Sequence, residues 1–186
     1  MKQVIYVVLI VIAVNILLEV IKRVTKRGGT VSSSNPLPDG QSKLFWRRHY
    51  KLVPQIDTRD CGPAVLASVA KHYGSNYSIA YLRELSKTNK QGTTALGIVE
   101  AAKKLGFETR SIKADMTLFD YNDLTYPFIV HVIKGKRLQH YYVVYGSQNN
   151  QLIIGDPDPS VKVTRMSKER FQSEWTGLAI FLAPQP

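Results

Sequence analysis

The hydrophobic pattern of this chain changes period once, and that change limits the folds open to it. From Ala64 to Leu105 the apolar residues recur at helical spacing; from Phe107 to Ala183 the chain runs mostly as short strands separated by turn signals. Three helices are expected first. One follows Cys61 and runs through Tyr73, where Gly74-Ser75-Asn76 stops it. A second is capped by Ser78 and reaches Ser86; a third is capped by Thr94, spans Ala95 to Leu105 and ends at Gly106. Six strands are expected next, at 107–113, 126–134, 137–145, 151–156, 161–165 and 178–183, with one more helix between Ser167 and Trp175. Gly135-Lys136 and the Ser147–Asn150 run read as hairpin turns. Helices followed by an antiparallel sheet indicate an α+β domain.

The only cysteine stands at the head of the first helix, in Asp60-Cys61-Gly62-Pro63. Asp60 is a favourable N-cap and Pro63 is tolerated in a first turn, so the Cys61 sulfur is expected at a helix N-terminus. Unpaired N–H groups and the helix dipole favour negative charge there, which favours the nucleophilic thiolate. A lone cysteine excludes an internal disulfide, and no Cys/His cluster has zinc spacing, so no metal or other cofactor is implied.

Four histidines are candidates for a base: His49, His72, His131 and His140. His140 and Asp156 are symmetric about the Ser147–Asn150 turn, so they are expected as cross-strand neighbours on one face of the sheet. A carboxylate there can hold one ring nitrogen and leave the other free, the orienting role in a catalytic triad. His131 is symmetric with His140 about Gly135-Lys136 and is expected opposite it on the same face. It has no comparable carboxylate and ranks second. His72 falls about three turns along the helix from Cys61, and His49 precedes the core. Each residue alone has a plainer reading, since cysteine is a common buried small apolar side chain and a strand histidine is commonly structural. Together they are the parts a thiol hydrolase needs.

The formal net charge is +11, and residues 1–50 hold eight of the 25 Lys and Arg residues but only two of the 14 Asp and Glu. With no nucleic-acid-binding motif beside it, this bias reads as flanking charge, not a nucleic-acid surface. Apolar character extends from Val4 to Ile21, interrupted by Asn15 and Glu19, and Lys22, Arg23, Lys26 and Arg27 follow at once. Residues 1–27 are therefore a candidate membrane anchor, a single transmembrane helix with its C-terminal side in the cytoplasm. A signal peptide fits less well, because no small-residue cleavage site follows and the basic residues lie on the wrong side; an added N-terminal segment is the other alternative. Residues 28–46 are a linker rich in Ser, Pro and Gly, and 47–186 the folded domain.

The run Val53-Pro54-Gln55-Ile56-Asp57-Thr58-Arg59-Asp60-Cys61-Gly62-Pro63 resembles the cysteine motif of the bacteriocin-processing, double-glycine leader peptidases. These are papain-like domains at the N-terminus of peptide-exporting ABC transporters of the ComA type. His140-Tyr141-Tyr142-Val143-Val144 and Gly155-Asp156-Pro157 are similar to that family's histidine and aspartate motifs, and Glu174-Trp175-Thr176-Gly177 also matches. The resemblance implies a papain-like cysteine peptidase with helices packed on an antiparallel sheet. It implies Cys61 as nucleophile, His140 as general base and acid, Asp156 as the group orienting it, and Gln55 as oxyanion donor. The implied substrates are bacteriocin or competence-signal precursors whose amphipathic leaders end in Gly-Gly. The implied partners are the membrane and ATPase domains of an exporter, at the cytoplasmic face of the bacterial membrane. A leader-binding apolar groove is expected on the helical half, residues 64–105. The chain holds no GxxxxGK[ST] phosphate loop, so transport itself is not expected of it. Self-cleavage at Gly28-Gly29 is not expected either, because Arg23 and Lys26 stand where the family's leaders are apolar. Another papain-like acyl-transfer or amidase activity, or a leader-docking module, is the alternative.

Overall fold

A computed structural model describes residues 50–185. The candidate anchor, the linker and His49 lie outside the described residues. Among the described residues no helix is long and apolar enough to cross a membrane.

Helix α1 (Cys61–His72) is buried from Cys61 through Ala70. Small residues on several sides (Ala64, Ala67, Ala70) let neighbours approach closely, while Val65, Leu66 and Val69 fill the space between. A helix apolar all round belongs inside, and each large side chain fully buried contributes about 1.5–3 kcal/mol. Lys71 and His72, at the C-terminal end, are exposed. Helices α2 (Ile79–Leu85) and α3 (Ala95–Lys104) begin where expected. The Ser78 hydroxyl accepts the Tyr81 N–H at 3.2 Å and the Thr94 hydroxyl accepts the Gly97 N–H at 3.0 Å. Gly106 follows α3 at φ +81°, the left-handed stop its sequence position predicts.

Six strands follow: β1 (Phe107–Lys113), β2 (Phe128–Lys134), β3 (Leu138–Gln148), β4 (Gln151–Asp156), β5 (Lys162–Ser167) and β6 (Trp175–Pro184), with α4 (Lys168–Glu174) before the last. They form one antiparallel sheet in the order β1-β6-β2-β3-β4-β5. A short 3-10 helix over Met116–Asp120, absent from the sequence expectation, bridges β1 and β2. Each face of the sheet has its own core. Ile129, Tyr141, Val143, Tyr145, Ile153 and Ile180 pack with the three N-terminal helices. Phe128, Val130, Val132, Tyr142, Val144 and Ile154 form the other core with Phe171 of α4 and Phe119 of the 3-10 helix.

Two irregularities set the register. The β2–β3 hairpin pairs Lys134 with Leu138, so its turn has three residues, Gly135-Lys136-Arg137, not two. His131 therefore pairs with Tyr141, and His140 with Val132. A shift of one residue moves a side chain to the opposite face, so His131 does not share a face with His140 as expected. The β3–β4 hairpin turns tightly through Asn149 and Asn150, both with positive φ, and pairs Ser147 with Leu152. Further along, the register slips by one between Val144 and Gly146, leaving Tyr145 as a bulge residue, and Val143 pairs with Gly155.

Candidate active site

The segment before α1 is a chain of tight local contacts. The Asp60 N–H donates to the Asp57 carbonyl at 3.0 Å, and the Asp57 N–H donates to Asp60 Oδ2 at 2.9 Å. The Asp57 carboxylate accepts the Arg59 N–H at 3.2 Å and the Thr58 hydroxyl at 3.1 Å, which gives Asp57 a role in the turn that its sequence position did not suggest. Asp60 is fully buried and accepts two hydrogen bonds from the Arg83 guanidinium on α2, at 2.8 and 2.6 Å. It does not cap α1 with its side chain, contrary to expectation. Its backbone has φ −92° and ψ 6° instead of the extended conformation of a capping residue, and a bidentate guanidinium is the stronger partner. Arg83 thus ties α2 to the start of α1 across 23 residues of sequence.

Cys61 begins α1 and is buried. Its sulfur meets the backbone N–H groups of Gly62 and Tyr141 and its own. The helix N-terminus does face the sulfur, but the expected net effect on the thiol is reversed. Burial pushes the Cys61 thiol up from its ordinary value, and the three N–H groups offset only part of that. Gly62 is required by close approach: a Cβ there would lie 2.5 Å from Thr93 Cβ.

Tyr141, whose N–H reaches the sulfur, adjoins His140. His140 is 3% exposed, and its Nε2 lies 2.8 Å from Asp156 Oδ1. The expected partnership is therefore present, by a different route. Continuing the Val143–Gly155 register sets Asp156 opposite Tyr142, so His140 is its diagonal neighbour on the same face. Without the extra residue at Tyr145 the parity would reverse and Asp156 would face the other side of the sheet. Gly155 permits this packing, since a Cβ there would lie 2.6 Å from the Tyr145 ring.

Burial raises the Asp156 carboxyl, but hydrogen bonds from His140, from Lys134 Nζ at 2.8 Å and from the Asp158 N–H at 3.0 Å prevail, and the carboxyl is held below its ordinary value. Lys134 went unremarked in the sequence, because a lysine at a strand end beside a turn reads as a solvent-facing charge. Gln55, known only through resemblance, is brought to the same end of the molecule. Its N–H donates to the carbonyl of Pro157, next to Asp156, at 2.8 Å. Its Oε1 is buried with no hydrogen-bond partner among the described residues. His131 lies on the sheet's other face, with Nδ1 3.0 Å from the Thr176 hydroxyl and its ring against Tyr141. Among the described residues no group of three or more acidic, His or Cys side chains is placed to hold a metal ion.

The profile of the Peptidase C39 family matches residues 49–186. The crystal structure of the peptidase domain of Streptococcus mutans ComA is 90% identical, with TM-score 0.63, and is covered in full by 73% of this chain. The transport/processing ATP-binding protein ComA of Streptococcus pneumoniae is 57% identical over 142 residues, 76% of this chain but 20% of that relative's length. A double-glycine-motif protease of an AMS/PCAT transporter, solved with its leader peptide, shares the fold at TM-score 0.65 and 23% identity, covering 74% of this chain and 96% of its own. The chain belongs to the Peptidase C39 family, a family of papain-like cysteine peptidases.

Proposed function

We infer that this C39-family peptidase is a cysteine endopeptidase that removes double-glycine leaders from bacteriocin or competence-signal precursors, in step with their export by an ABC transporter. The observation that carries the reading is the 2.8 Å His140–Asp156 hydrogen bond beside the backbone N–H that reaches the Cys61 sulfur. The export partner and the substrate class draw support from relatives named as transport and processing ATP-binding proteins and from the fold shared with a leader-bound protease.

In this reading the thiol of Cys61 passes its proton to the free ring nitrogen of His140, and the thiolate attacks the carbonyl carbon of the second glycine. Negative charge moves to the carbonyl oxygen, where the Gln55 side-chain amide and the Cys61 N–H donate to it; one such donor contributes about 3 kcal/mol. As the intermediate collapses, His140 protonates the departing amine and the processed peptide leaves. His140 then takes a proton from water, which attacks the thioester, and the leader departs as a carboxylate. Asp156 holds the imidazole in orientation and stabilises its charged form throughout.

A helical leader would dock on the helical half, where Tyr81 and Leu96 expose apolar surface on α2 and α3. The peptidase would act at the cytoplasmic face of the membrane, with the apolar run near residues 4–21 as its own anchor. The test is cleavage of a synthetic precursor carrying Gly-Gly, with product ends read by mass spectrometry. Cutting after the second glycine, loss of cutting in Cys61→Ala or after thiol alkylation, and rejection of a Gly-to-Ala substrate are expected. Equal turnover of the alanine substrate would favour a broader amidase, and cleavage by Cys61→Ala would overturn the assignment.

A further inference from the structure

Asp156 is gripped at both oxygens. Oδ1 lies 2.8 Å from His140 Nε2 and accepts the Asp158 N–H at 3.0 Å, while Oδ2 accepts Lys134 Nζ at 2.8 Å. The carboxylate is 4% exposed and the lysine side chain 23%. A lysine so covered gives up much of its hydration, and the nearby carboxylate compensates for that loss. Strand alternation explains how it arrives there. Lys134 closes β2 two residues beyond Val132, the register partner of His140, so both side chains lie on one face. They share a platform: Lys134 Nζ lies 5.8 Å from the centroid of the Tyr142 ring, and the His140 ring stands edge-on to it at 5.5 Å.

The neighbouring carboxylates already have partners. Glu174 of α4 accepts the Tyr142 hydroxyl at 2.8 Å and lies 3.5 Å from Arg170. The Asp158 carboxylate is taken up by the Ser160 N–H and hydroxyl, at 3.0 and 2.7 Å. His131 is bound to Thr176 on the opposite face, Lys162 is exposed and stands opposite Asp156 in the β4–β5 ladder, and the Cys61 sulfur of α1 lies near enough to feel the Asp156 charge. Among these, Lys134 is the cation in direct contact with Asp156.

We propose that Lys134 is a positioning residue of the peptidase, which fixes the rotation of the Asp156 carboxylate against His140 and offsets its charge at the imidazole. This rests on the reading of Cys61, His140 and Asp156 as a triad. Two consequences can be measured separately. An untethered carboxylate rotates, so fewer imidazoles are held in the reactive orientation and kcat falls. A carboxylate without its counter-cation stabilises the imidazolium more strongly, so the alkaline limb of activity moves to higher pH.

The experiment measures kcat, KM and the kcat/KM–pH profile of the full chain on a synthetic Gly-Gly precursor. Lys134→Met keeps the apolar stem and removes the charge. It is expected to lower kcat about three- to tenfold, leave KM within about twofold, and raise the alkaline limb by about half a pH unit or more. Lys134→Gln keeps a donor without charge, so its limb moves as far while kcat falls less. Lys134→Arg restores charge and donor and returns most of both. A folded Lys134→Met protein with the parent limb and kcat would overturn the proposal. So would unfolding of every uncharged variant, because the pair would then be structural only. Asp156→Asn separates the two levels: if it stays active, the triad reading itself fails, whereas if it is inactive and Lys134→Met behaves as the parent, only the role of Lys134 fails.

Discussion

Cys61 is placed by a helix buried along its first ten residues, whereas His140 and Asp156 are placed by strand register. The first placement combines a local turn with two contacts from elsewhere in the helical half. A turn closed by Asp57 and Asp60, a glycine flush against Thr93 and one guanidinium from α2 fix where α1 begins. The second depends on the register of one hairpin, β3–β4, along its whole length. The bulge at Tyr145 gives Asp156 the parity to meet His140, and Gly155 leaves room for the ring of the bulge residue. A site set within the helical half tolerates small shifts in the sheet, but a register-built pair is all or none, because one residue of slip sends a side chain through to the other face.

Substitutions can strain each half in turn. The largest effect is expected at the register-built half. Asp156→Asn should leave the fold intact and lower kcat about 10³–10⁴-fold, as loss of the orienting carboxylate does in a triad. Steady-state kinetics with circular dichroism on the same sample checks this. Gly62→Ala attacks the helix-built half: its Cβ has no room beside Thr93, so the head of α1 must shift. About 1–3 kcal/mol of stability and about a hundredfold in kcat should go together, read by denaturant melts and peptide turnover. Arg83→Met removes the tie from α2 to Asp60 and leaves a buried carboxylate without its cation. It should cost about tenfold in kcat, with a lower melting temperature.

The smallest effect is in the pH dependence of stability. Asp156 is held below its ordinary carboxyl value in the folded chain, so folding favours its ionised form. That contribution is whole above the unfolded value, 3.8, and is lost as pH falls from there through the folded value. Thermal melts of the parent should lose stability over that range more steeply than melts of Asp156→Asn. At the other end, burial raises the hydroxyls of Tyr141, Tyr142 and Tyr145 above their ordinary 10.0, so stability should fall as pH rises beyond 10.0.

How far the sequence could be read follows the same division. Capping by Ser78 and Thr94, the Gly106 stop and the span of β1 come from local chemistry, and the structure reproduces them. The His140–Asp156 partnership was legible from symmetry about a turn, but its diagonal geometry was not, because Gly146, the one bulge signal in Val143-Val144-Tyr145-Gly146, reads equally as the start of the turn. The shared face of His131 and His140 failed because Arg137 joins the turn, one residue more than Gly135-Lys136 suggests. Asp60 with Arg83 and Asp156 with Lys134 are ion pairs 23 and 22 residues apart, between elements whose meeting no local pattern announces. Gln55 was reached by family resemblance alone; in the fold its N–H bond to the Pro157 carbonyl is what ties it to the Asp156 end of the molecule.

The sole cysteine makes the central test direct, since any thiol-specific label reports on Cys61 alone. The rate of iodoacetamide alkylation should be measured against pH for the parent and for His140→Ala. If the imidazole takes the proton of the thiol, it works against the burial that raises Cys61, and the parent alkylates at lower pH than His140→Ala. Superimposable profiles for the two proteins would show that sulfur and imidazole do not exchange a proton, and would contradict the account.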